Sequence, residues 1–294
     1  MAKETKKEIL VWYYLNGEKV LNLGEHFTEI LVHEFGYKTR CYSDAESKNE
    51  LGKYDSCLMI IGSELHKRKI DSLKVPKVLV WGQGKGRVGK GFDFDIHNPP
   101  YSDKVKIYAV RGSYTIRQLK LDPDTPRGDP GFLMPLFFPI KKEKSQHKIV
   151  YVPHFNCKPK NIEKELEIIG AEKYINVMIS KDEFWKRLKE IVSAKFVLTS
   201  SLHTSIIAHA YGVPWALQLA EGKKLDKPEK WRDLFEFLGI YDEFKIVKNY
   251  DEGLKWWKGI HSKAKIPSLI PLIKSFPFPI KNKKILKIIK NEKV

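Results

Sequence analysis

Short hydrophobic segments alternate with segments of helical periodicity along most of the chain. Apolar runs of four to eight residues bounded by turn residues are typical of buried strands, and apolar positions three and four residues apart are typical of helices. In the first half the pattern predicts strands over residues 9–14, 37–42, 56–61, 77–81 and 106–110, with an amphipathic helix over 25–35. The alternation indicates an α/β fold built on parallel sheets.

The second half repeats this rhythm after a break. Prolines and then a charge run interrupt the periodicity over 122–126 and 135–144, which places a domain boundary near residue 144. Beyond it the pattern predicts strands over 148–152, 174–178, 196–199 and 214–219, and helices over 162–169, 182–192 and 202–211. We therefore expect two Rossmann-like domains, residues 1–144 and 145–262. They would face a cleft at the carboxyl ends of both sheets, where such folds bind ligands.

The last segment, residues 263–294, has a different composition. It contains nine lysines and a single acidic residue, Glu292. On a helical projection Ile285, Leu286, Ile288 and Ile289 share one arc, while the lysines around them share the other. This predicts a basic amphipathic tail that either lies on an anionic membrane surface or docks on the protein's own core.

Composition narrows the class of partner. The 294 residues include 53 Lys and Arg against 36 Asp and Glu, and the net charge of +17 favours a negatively charged partner. Nucleic acid is disfavoured, because aromatic and basic residues do not interleave in the tail. The three cysteines lie far apart, which excludes a disulfide framework and a Cys-x-x-Cys zinc site and fits a reducing cytoplasm.

Two hydrophobic stretches could be mistaken for targeting or membrane segments. The uncharged stretch 196–220 contains serines, threonines, two histidines and Gly-Val-Pro, so it is predicted as a buried strand, helix and strand. The apolar run 9–15 follows a charged N-terminus and is predicted as a first strand rather than a signal peptide.

Two predicted junctions between a strand and a helix carry groups suited to anions. At the first, Ser200, Ser201 and His203 follow a strand and open a helix, whose positive end and hydroxyl groups favour a bound anion. At the second, Arg111 and Gly112 end a strand, and arginine offers a planar fork to a carboxylate or phosphate. An ordinary capped helix start and an arginine covering a helix end are the structural alternatives.

Two glycine segments are further candidates. The run from Gly84 to Gly89 fits G-x-G-x-x-G, but no amphipathic helix follows it, so the dinucleotide fingerprint fails. We interpret it as a basic loop near the cleft, with Arg87 as a ligand candidate. Gly24 and Glu25 open the predicted helix 25–35, where glycine permits a close approach and the acid favours the positive helix end.

Several of these segments occur in the order found in one family, and the chain resembles the polysaccharide pyruvyltransferases. Two-thirds of the chain carries the matching pieces, which are Asn22-Leu23-Gly24-Glu25, Ile60-Ile61-Gly62-Ser63, Val80-Trp81-Gly82-Gln83-Gly84, Val110-Arg111-Gly112, Gly128-Asp129-Pro130, Val152-Pro153-His154 and Ser200-Ser201-Leu202-His203. Two residues depart from the family pattern: Glu25 replaces the usual Asp, and Thr204 stands where Gly is common.

The resemblance implies a GT-B-like arrangement of two domains and transfer of a pyruvyl group from phosphoenolpyruvate to a sugar diol as a cyclic ketal. It implies His203 as the acid, Arg111 with Gly112 as a donor clamp, and Ser200 with Ser201 as anion ligands. Asp129 and His154 would orient the acceptor, a polysaccharide or a lipid-linked glycan. We expect no metal or other cofactor, and a cytoplasmic enzyme that the tail can bring to the inner face of the membrane.

Two other functions remain open from the sequence. A glycosyltransferase that uses a nucleotide sugar would fit the same architecture. A basic protein that binds membranes or nucleic acid without catalysis would fit the charge.

Overall fold

A computed structural model describes residues 7–14, 20–143 and 148–291. Helices and parallel strands alternate in these ranges, which confirms the predicted α/β class. Residue 144, where the domain boundary is predicted, and residues 292–294 of the basic tail lie outside the described residues.

The secondary structure follows the predicted alternation. The strands are β1 (Glu8–Trp12), β2 (Val20–Asn22), β3 (Lys38–Cys41), β4 (Ser56–Met59), β5 (Lys77–Gln83), β6 (Val105–Val110), β7 (Ile149–Val152), β8 (Lys173–Tyr174), β9 (Met178–Ser180), β10 (Phe196–Thr199) and β11 (Trp215–Leu217). The helices are α1 (His26–Glu34), α2 (Tyr42–Ser47), α3 (Lys67–Ser72), α4 (Tyr101–Lys104), α5 (Ser113–Leu119), α6 (Met134–Phe137), α7 (Ile162–Ile169), α8 (Phe184–Val192), α9 (Leu202–Ala210), α10 (Pro228–Phe237), α11 (Tyr250–Ile260), α12 (Ile270–Lys274) and α13 (Lys283–Asn291).

The chain forms two compact units. The first unit comprises Met1–Tyr14, Phe27–Pro130 and Ser268–Val294, and the second comprises Leu15–His26 and Gly131–Pro267. The division after Pro130 precedes the boundary predicted near residue 144, because the residues around α6 pack in the second unit. Phe132 there stacks on Phe237 with ring centroids 5.2 Å apart.

The first unit is built on a five-stranded parallel sheet with the order β3-β1-β4-β5-β6. Numbered within the unit this order is 2-1-3-4-5, the flavodoxin-like variant of doubly wound sheets. The central strands β1, β4 and β5 are buried along most of their length, with Val11, Leu58 and Val80 fully covered. Burial on both faces explains why these strands appear in the sequence as continuous apolar runs.

The second unit repeats the same topology in a smaller sheet. Its four parallel strands have the order β11-β10-β7-β8, which is 2-1-3-4 within the unit when it is read from the β8 edge. The stretch predicted as strand, helix and strand over 196–220 forms β10, α9 and β11. Among the described helices, none has the length and apolar character needed to cross a bilayer.

One predicted strand of the second unit is wrong. Residues 174–178 do not form a single strand, since β8 ends at Tyr174 and β9 begins at Met178. β9 leaves the parallel sheet and pairs antiparallel with β2, which the sequence pattern did not predict. This two-stranded ladder holds residues 20–22 in the second unit, although the strand before them and the helix after them belong to the first.

The basic tail docks on the first unit through its apolar residues. Phe276 packs on Phe35 and Trp81, with ring centroids 4.1 Å and 5.0 Å apart, and Trp81 Nε1 donates to the Leu272 carbonyl at 2.8 Å. The predicted amphipathic helix is present as α13 and is anchored by the fully buried Ile285, while Leu286 is exposed. The middle of the apolar arc therefore faces the protein, which is the second of the two alternatives for the tail.

Candidate functional site

In a doubly wound sheet, ligands bind at the carboxyl edge where the strand order reverses. In the second unit this point lies between β7 and β10, and in the first unit between β1 and β4. The predicted site residues fall at the carboxyl ends of strands in both units.

The β10–α9 junction of the second unit is held by side-chain hydroxyl groups. Thr199 Oγ1 donates to the Val152 carbonyl at 2.6 Å and accepts the Ser201 amide at 2.9 Å. Ser200 Oγ accepts the His154 amide at 2.9 Å, which ties the end of β7 to the end of β10. Ser200 and Ser201 are almost fully buried. Part of the hydroxyl cluster predicted as an anion cradle is therefore used to fix the geometry of the turn.

His203 lies in the first turn of α9 and packs directly on the backbone of Gly24. A Cβ atom at residue 24 would overlap the imidazole ring, and the closest ring atom would be Nδ1. Only glycine leaves room for the ring in this position. Gly24 and His203, which lie far apart in the sequence, are thus brought together, and the close approach predicted for Gly24 is made by His203.

The β2–β9 ladder positions Gly24. Leu23 donates its amide to the Val177 carbonyl at 2.8 Å, and the Asn22 side chain accepts the Gly24 amide at 3.1 Å. Glu25 precedes α1 and is buried. The Asn-x-Gly segment is therefore a turn that carries a backbone surface against which His203 rests.

His154 follows β7 and is nearly buried beside a charged pair that the sequence analysis missed. Its Nε2 atom lies 3.9 Å from Asp226 Oδ2, and the same oxygen is 3.1 Å from Lys230 Nζ. Burial and then the positive charge of Lys230 lower the pKa of His154 to about 3. Burial alone would raise the pKa of Asp226, but the positive charge of Lys230 lowers it below its ordinary value.

Arg111 occupies the end of β6 in the first unit and is also buried. Its Nη1 atom donates to the Gly62 carbonyl at 3.0 Å and to Ser63 Oγ at 2.7 Å. A Cβ atom at Gly84 would overlap the guanidinium group, so the arginine packs on this glycine as His203 packs on Gly24. The fork is held in one orientation by the ends of β4 and β5.

Gly112 follows Arg111 in the sequence, and Asp129 follows a segment that runs beside the end of β6. Gly112 precedes α5 in an extended conformation. Residues 126–128 run beside the end of β6, with the Gly128 amide donating to the Val110 carbonyl at 3.0 Å, and Asp129 follows them as a buried carboxylate. Arg111, Gly112 and Asp129 thus belong to the first unit, whereas His203, His154 and the two serines belong to the second.

The glycine loop after β5 is closed by an ion pair. Lys85 is buried, and its Nζ lies 2.7 Å from Asp93 Oδ1, while Asp93 Oδ2 accepts the Gly89 amide at 2.8 Å. Arg87 is exposed, with its guanidinium 5.4 Å from the centre of the Phe92 ring. The next helix, α4, begins only at Tyr101, which confirms that no helix directly follows the glycine loop.

His209, six residues after His203, has a different environment. It accepts a hydrogen bond from Trp215 Nε1 at 3.2 Å, and burial lowers its pKa to about 4. Its ring packs against Trp215 and Trp257, so its role is in packing rather than as a partner of His203. In the described ranges, no three His, Cys, Asp or Glu residues are grouped in a way that could hold a metal ion.

Most of the chain is similar to known proteins. A family model described as polysaccharide pyruvyl transferase matches residues 22–217, from the Asn-x-Gly turn to the end of β11. An uncharacterized protein of Acanthamoeba polyphaga mimivirus is 27% identical over 270 residues, which is 85% of this chain and 83% of that protein. The crystal structure of a functionally uncharacterized protein from Klebsiella pneumoniae aligns with 76% of this chain and 88% of its own, with a TM-score of 0.43 and 15% identity.

Proposed function

Because the chain belongs to the polysaccharide pyruvyl transferase family and is therefore a transferase, we propose that it moves the pyruvyl group of phosphoenolpyruvate onto a sugar diol. The acceptor is a polysaccharide or a lipid-linked glycan, and the product is a cyclic ketal. Family membership argues against the non-enzymatic alternative. The GT-B-like arrangement of the two units is part of this proposal.

The reaction needs one proton donor, one anion site and two hydroxyl nucleophiles. The first hydroxyl adds to the central carbon of phosphoenolpyruvate while the methylene carbon takes up a proton and becomes a methyl group. The second hydroxyl then displaces phosphate from the same carbon. The two hydroxyl protons are balanced by the new methyl C–H bond and by the proton on the released phosphate.

One observation carries the assignment of the acid. His203, at the start of α9, packs its imidazole ring on the backbone of Gly24. Imidazole, with an ordinary pKa of ~6.5, suits proton transfer near neutral pH. The positive end of α9 favours the charge of a phosphate or carboxylate close to this ring. We assign proton transfer to His203 and anion binding to Ser200 and Ser201 at the same turn.

In the first unit, Arg111 is the proposed donor ligand, with Gly112 beside it. Its fork is already fixed by Gly62 and Ser63, so little side-chain entropy is lost when it binds an anion. Asp129, Gly84 and Arg87 are further binding candidates in this unit, and Glu25 is one in the second.

The test is phosphate release from phosphoenolpyruvate with methyl glycosides of glucose, galactose and mannose as acceptors. The products are checked by mass spectrometry for the added pyruvyl ketal. We expect His203→Ala to lower release by ~10²-fold or more and His261→Ala, a change at an exposed histidine of the same unit, to leave it unchanged. Turnover of nucleotide sugars instead of phosphoenolpyruvate would favour the glycosyltransferase.

We also propose a peripheral contact with an anionic membrane on the cytoplasmic side, where a lipid-linked acceptor would lie. The contact would be made by α13, whose Lys283, Lys284, Lys287 and Lys290 are all exposed, together with the exposed Leu286. Each lysine near an anionic surface contributes about 1 kcal/mol at low salt. Because Ile285 is docked in the first unit, lysines rather than a free apolar face would carry this binding.

Truncation of the tail would remove buried residues, so charge substitution is the cleaner experiment. The four lysines of α13 are changed to Gln, and the matched control changes the exposed Lys38, Lys48, Lys90 and Lys164. We expect only the α13 variant to lose co-sedimentation with vesicles that contain phosphatidylglycerol, and the wild type to lose it at high salt. Equal binding by both variants would remove α13 from the proposal.

A further inference from the structure

The cluster beside the β10–α9 junction consists of the buried His154 and Lys230 and the half-buried Asp226. These three residues come from the end of β7, the segment before α10 and the first turn of α10. The His154 amide is bonded to Ser200, so the cluster adjoins the turn that carries the proposed anion ligands. All of it lies within the second unit.

Lys230 is in an unfavourable place for a structural lysine. A positive charge in the first turn of a helix opposes the helix dipole, and the residue is only 5% exposed. Asp226 compensates the charge at 3.1 Å. A buried ion pair adds little stability compared with apolar residues of similar size, so stability alone does not account for this one.

The hydrogen bonds of His154 fix which ring nitrogen carries the proton. Nδ1 accepts the Asn156 amide at 3.3 Å, so in the neutral ring the proton is on Nε2. Burial, Lys230 and Lys227 favour the neutral form, and Asp226 opposes them. His154 therefore presents a neutral Nε2–H group to the carboxylate of Asp226.

The distance between these two groups suits a bridging oxygen. At 3.9 Å, Nε2 and Asp226 Oδ2 are too far apart for a direct hydrogen bond. A single hydroxyl oxygen can accept from Nε2–H and donate its own proton to the carboxylate. A hydroxyl group has both the lone pair and the proton that such a bridge requires, whereas a phosphate or a carboxylate would be repelled by Asp226.

We propose that His154 and Asp226 bind and orient one hydroxyl group of the sugar acceptor, and that Lys230 is the positioning residue that keeps Asp226 ionised and in place. The proposal rests on the pyruvyl transfer proposed above and names the residues that recognise its acceptor. It makes the second unit the place where the acceptor hydroxyl is held, next to the turn that carries His203.

The first experiment does not depend on activity. The full chain labelled with ¹⁵N-histidine is titrated by NMR, and the ring nitrogens of His154 are assigned with His154→Gln. We expect a neutral ring with its proton on Nε2 from pH 7 to about pH 4. Lys230→Met should raise the pKa of His154 by one unit or more, and Lys230→Arg should leave it unchanged. A ring that titrates near pH 6.5, or one with its proton on Nδ1, would overturn the proposal.

The second experiment separates acceptor from donor. We expect His154→Gln and Asp226→Asn each to raise the KM for the methyl glycoside that supports turnover by about tenfold, while the KM for phosphoenolpyruvate stays within a factor of two. Lys230→Arg should retain most of the acceptor affinity, and His261→Ala is the control.

The two experiments separate failure of this inference from failure of the proposed function. Turnover with an unchanged acceptor KM in both variants would overturn the acceptor site and leave pyruvyl transfer standing. If no acceptor is pyruvylated, the same glycosides are titrated into the labelled protein. A shift of His154 Nε2 that Asp226→Asn abolishes would support the hydroxyl site, and no shift would overturn it.

Discussion

The two units have sheets of the same strand order but differ in what they place at the carboxyl edge. The first unit presents a fixed positive charge, Arg111, whose Nη1 is bonded to Gly62 and Ser63. The second presents two imidazole rings, that of His203 in the first turn of α9 and that of His154 after β7. In both, a glycine lets the functional side chain lie on the backbone. Shared topology therefore fixes where a site forms, while the side chains at the strand ends fix its chemistry.

The largest expected effects are the losses of activity when His203 or Arg111 is replaced. We expect His203→Ala and Arg111→Ala each to lower pyruvyl transfer by ~10²-fold or more. Their stabilities should differ, because His203 is half-buried whereas loss of Arg111 leaves buried partners in the first unit without a donor. Thermal unfolding should show little change for His203→Ala and a clearly lower Tm for Arg111→Ala. Near-normal turnover by either variant would contradict its proposed role.

The glycines offer a matched pair of substitutions. Gly24→Ala should displace the ring of His203, and Gly84→Ala should displace the guanidinium of Arg111, because each new Cβ overlaps that group. We expect each to lower kcat by about tenfold. In a double-mutant cycle, Gly24→Ala should add almost nothing to His203→Ala but should add fully to Arg111→Ala. Full additivity with His203→Ala would mean that Gly24 does not act through the ring.

Acid should destabilise the second unit at a higher pH than the first. In the folded second unit, burial holds the pKa of His154 at about 3 and that of His209 at about 4. In the unfolded chain both rings regain the ordinary pKa of ~6.5. Below pH ~6.5, unfolding therefore lets both rings take up protons. The free energy of unfolding then falls as the pH drops from ~6.5, by about 1–2 kcal/mol per ring at pH 5. In the first unit Asp93 has a lowered pKa, chiefly because Lys85 outweighs the effect of burial, and its contribution is lost only below ~4.

The buried cysteines report on each unit separately. Cys57 is in the first unit and Cys157 in the second. Their reaction with 4,4′-dithiodipyridine is followed by mass spectrometry during urea unfolding at pH 7 and pH 5. We expect the lower pH to expose Cys157 at a lower urea concentration, with a smaller shift for Cys57, and His154→Gln to reduce the Cys157 shift. Equal shifts for both thiols would contradict the assignment of acid sensitivity to the second unit.

Features with a local sequence signal were predictable, and those that depend on distant pairing were not. The apolar runs of β4, β5 and β10 are visible because both faces are buried. The β2–β9 ladder was missed because its strands have three residues each and pair across most of the chain.

The candidate site residues also fall into those that a local sequence pattern predicts and those that only the fold brings together. His203 and Arg111 were found from strand-to-helix junctions, which have a sequence pattern. Asp226 and Lys230 lie among other charged residues before and within α10, and only the fold brings them to His154. A lysine in the first turn of a helix that begins with proline was the one available signal, since that position favours acids.

The smallest expected effect concerns divalent metal. The sequence predicts that no metal is required, and the buried Arg111 of the first unit offers a fixed cation for the charge of the donor. A Mg²⁺ ion would need carboxylates or phosphate oxygens grouped around it, and the described residues offer no group of three suitable side chains. We therefore expect dialysis against EDTA to change kcat by less than twofold, with phosphate release measured in metal-free buffer. Loss of turnover in EDTA that magnesium or manganese restores would show that the protein cations are not sufficient, and would place a metal-bound donor in the site instead.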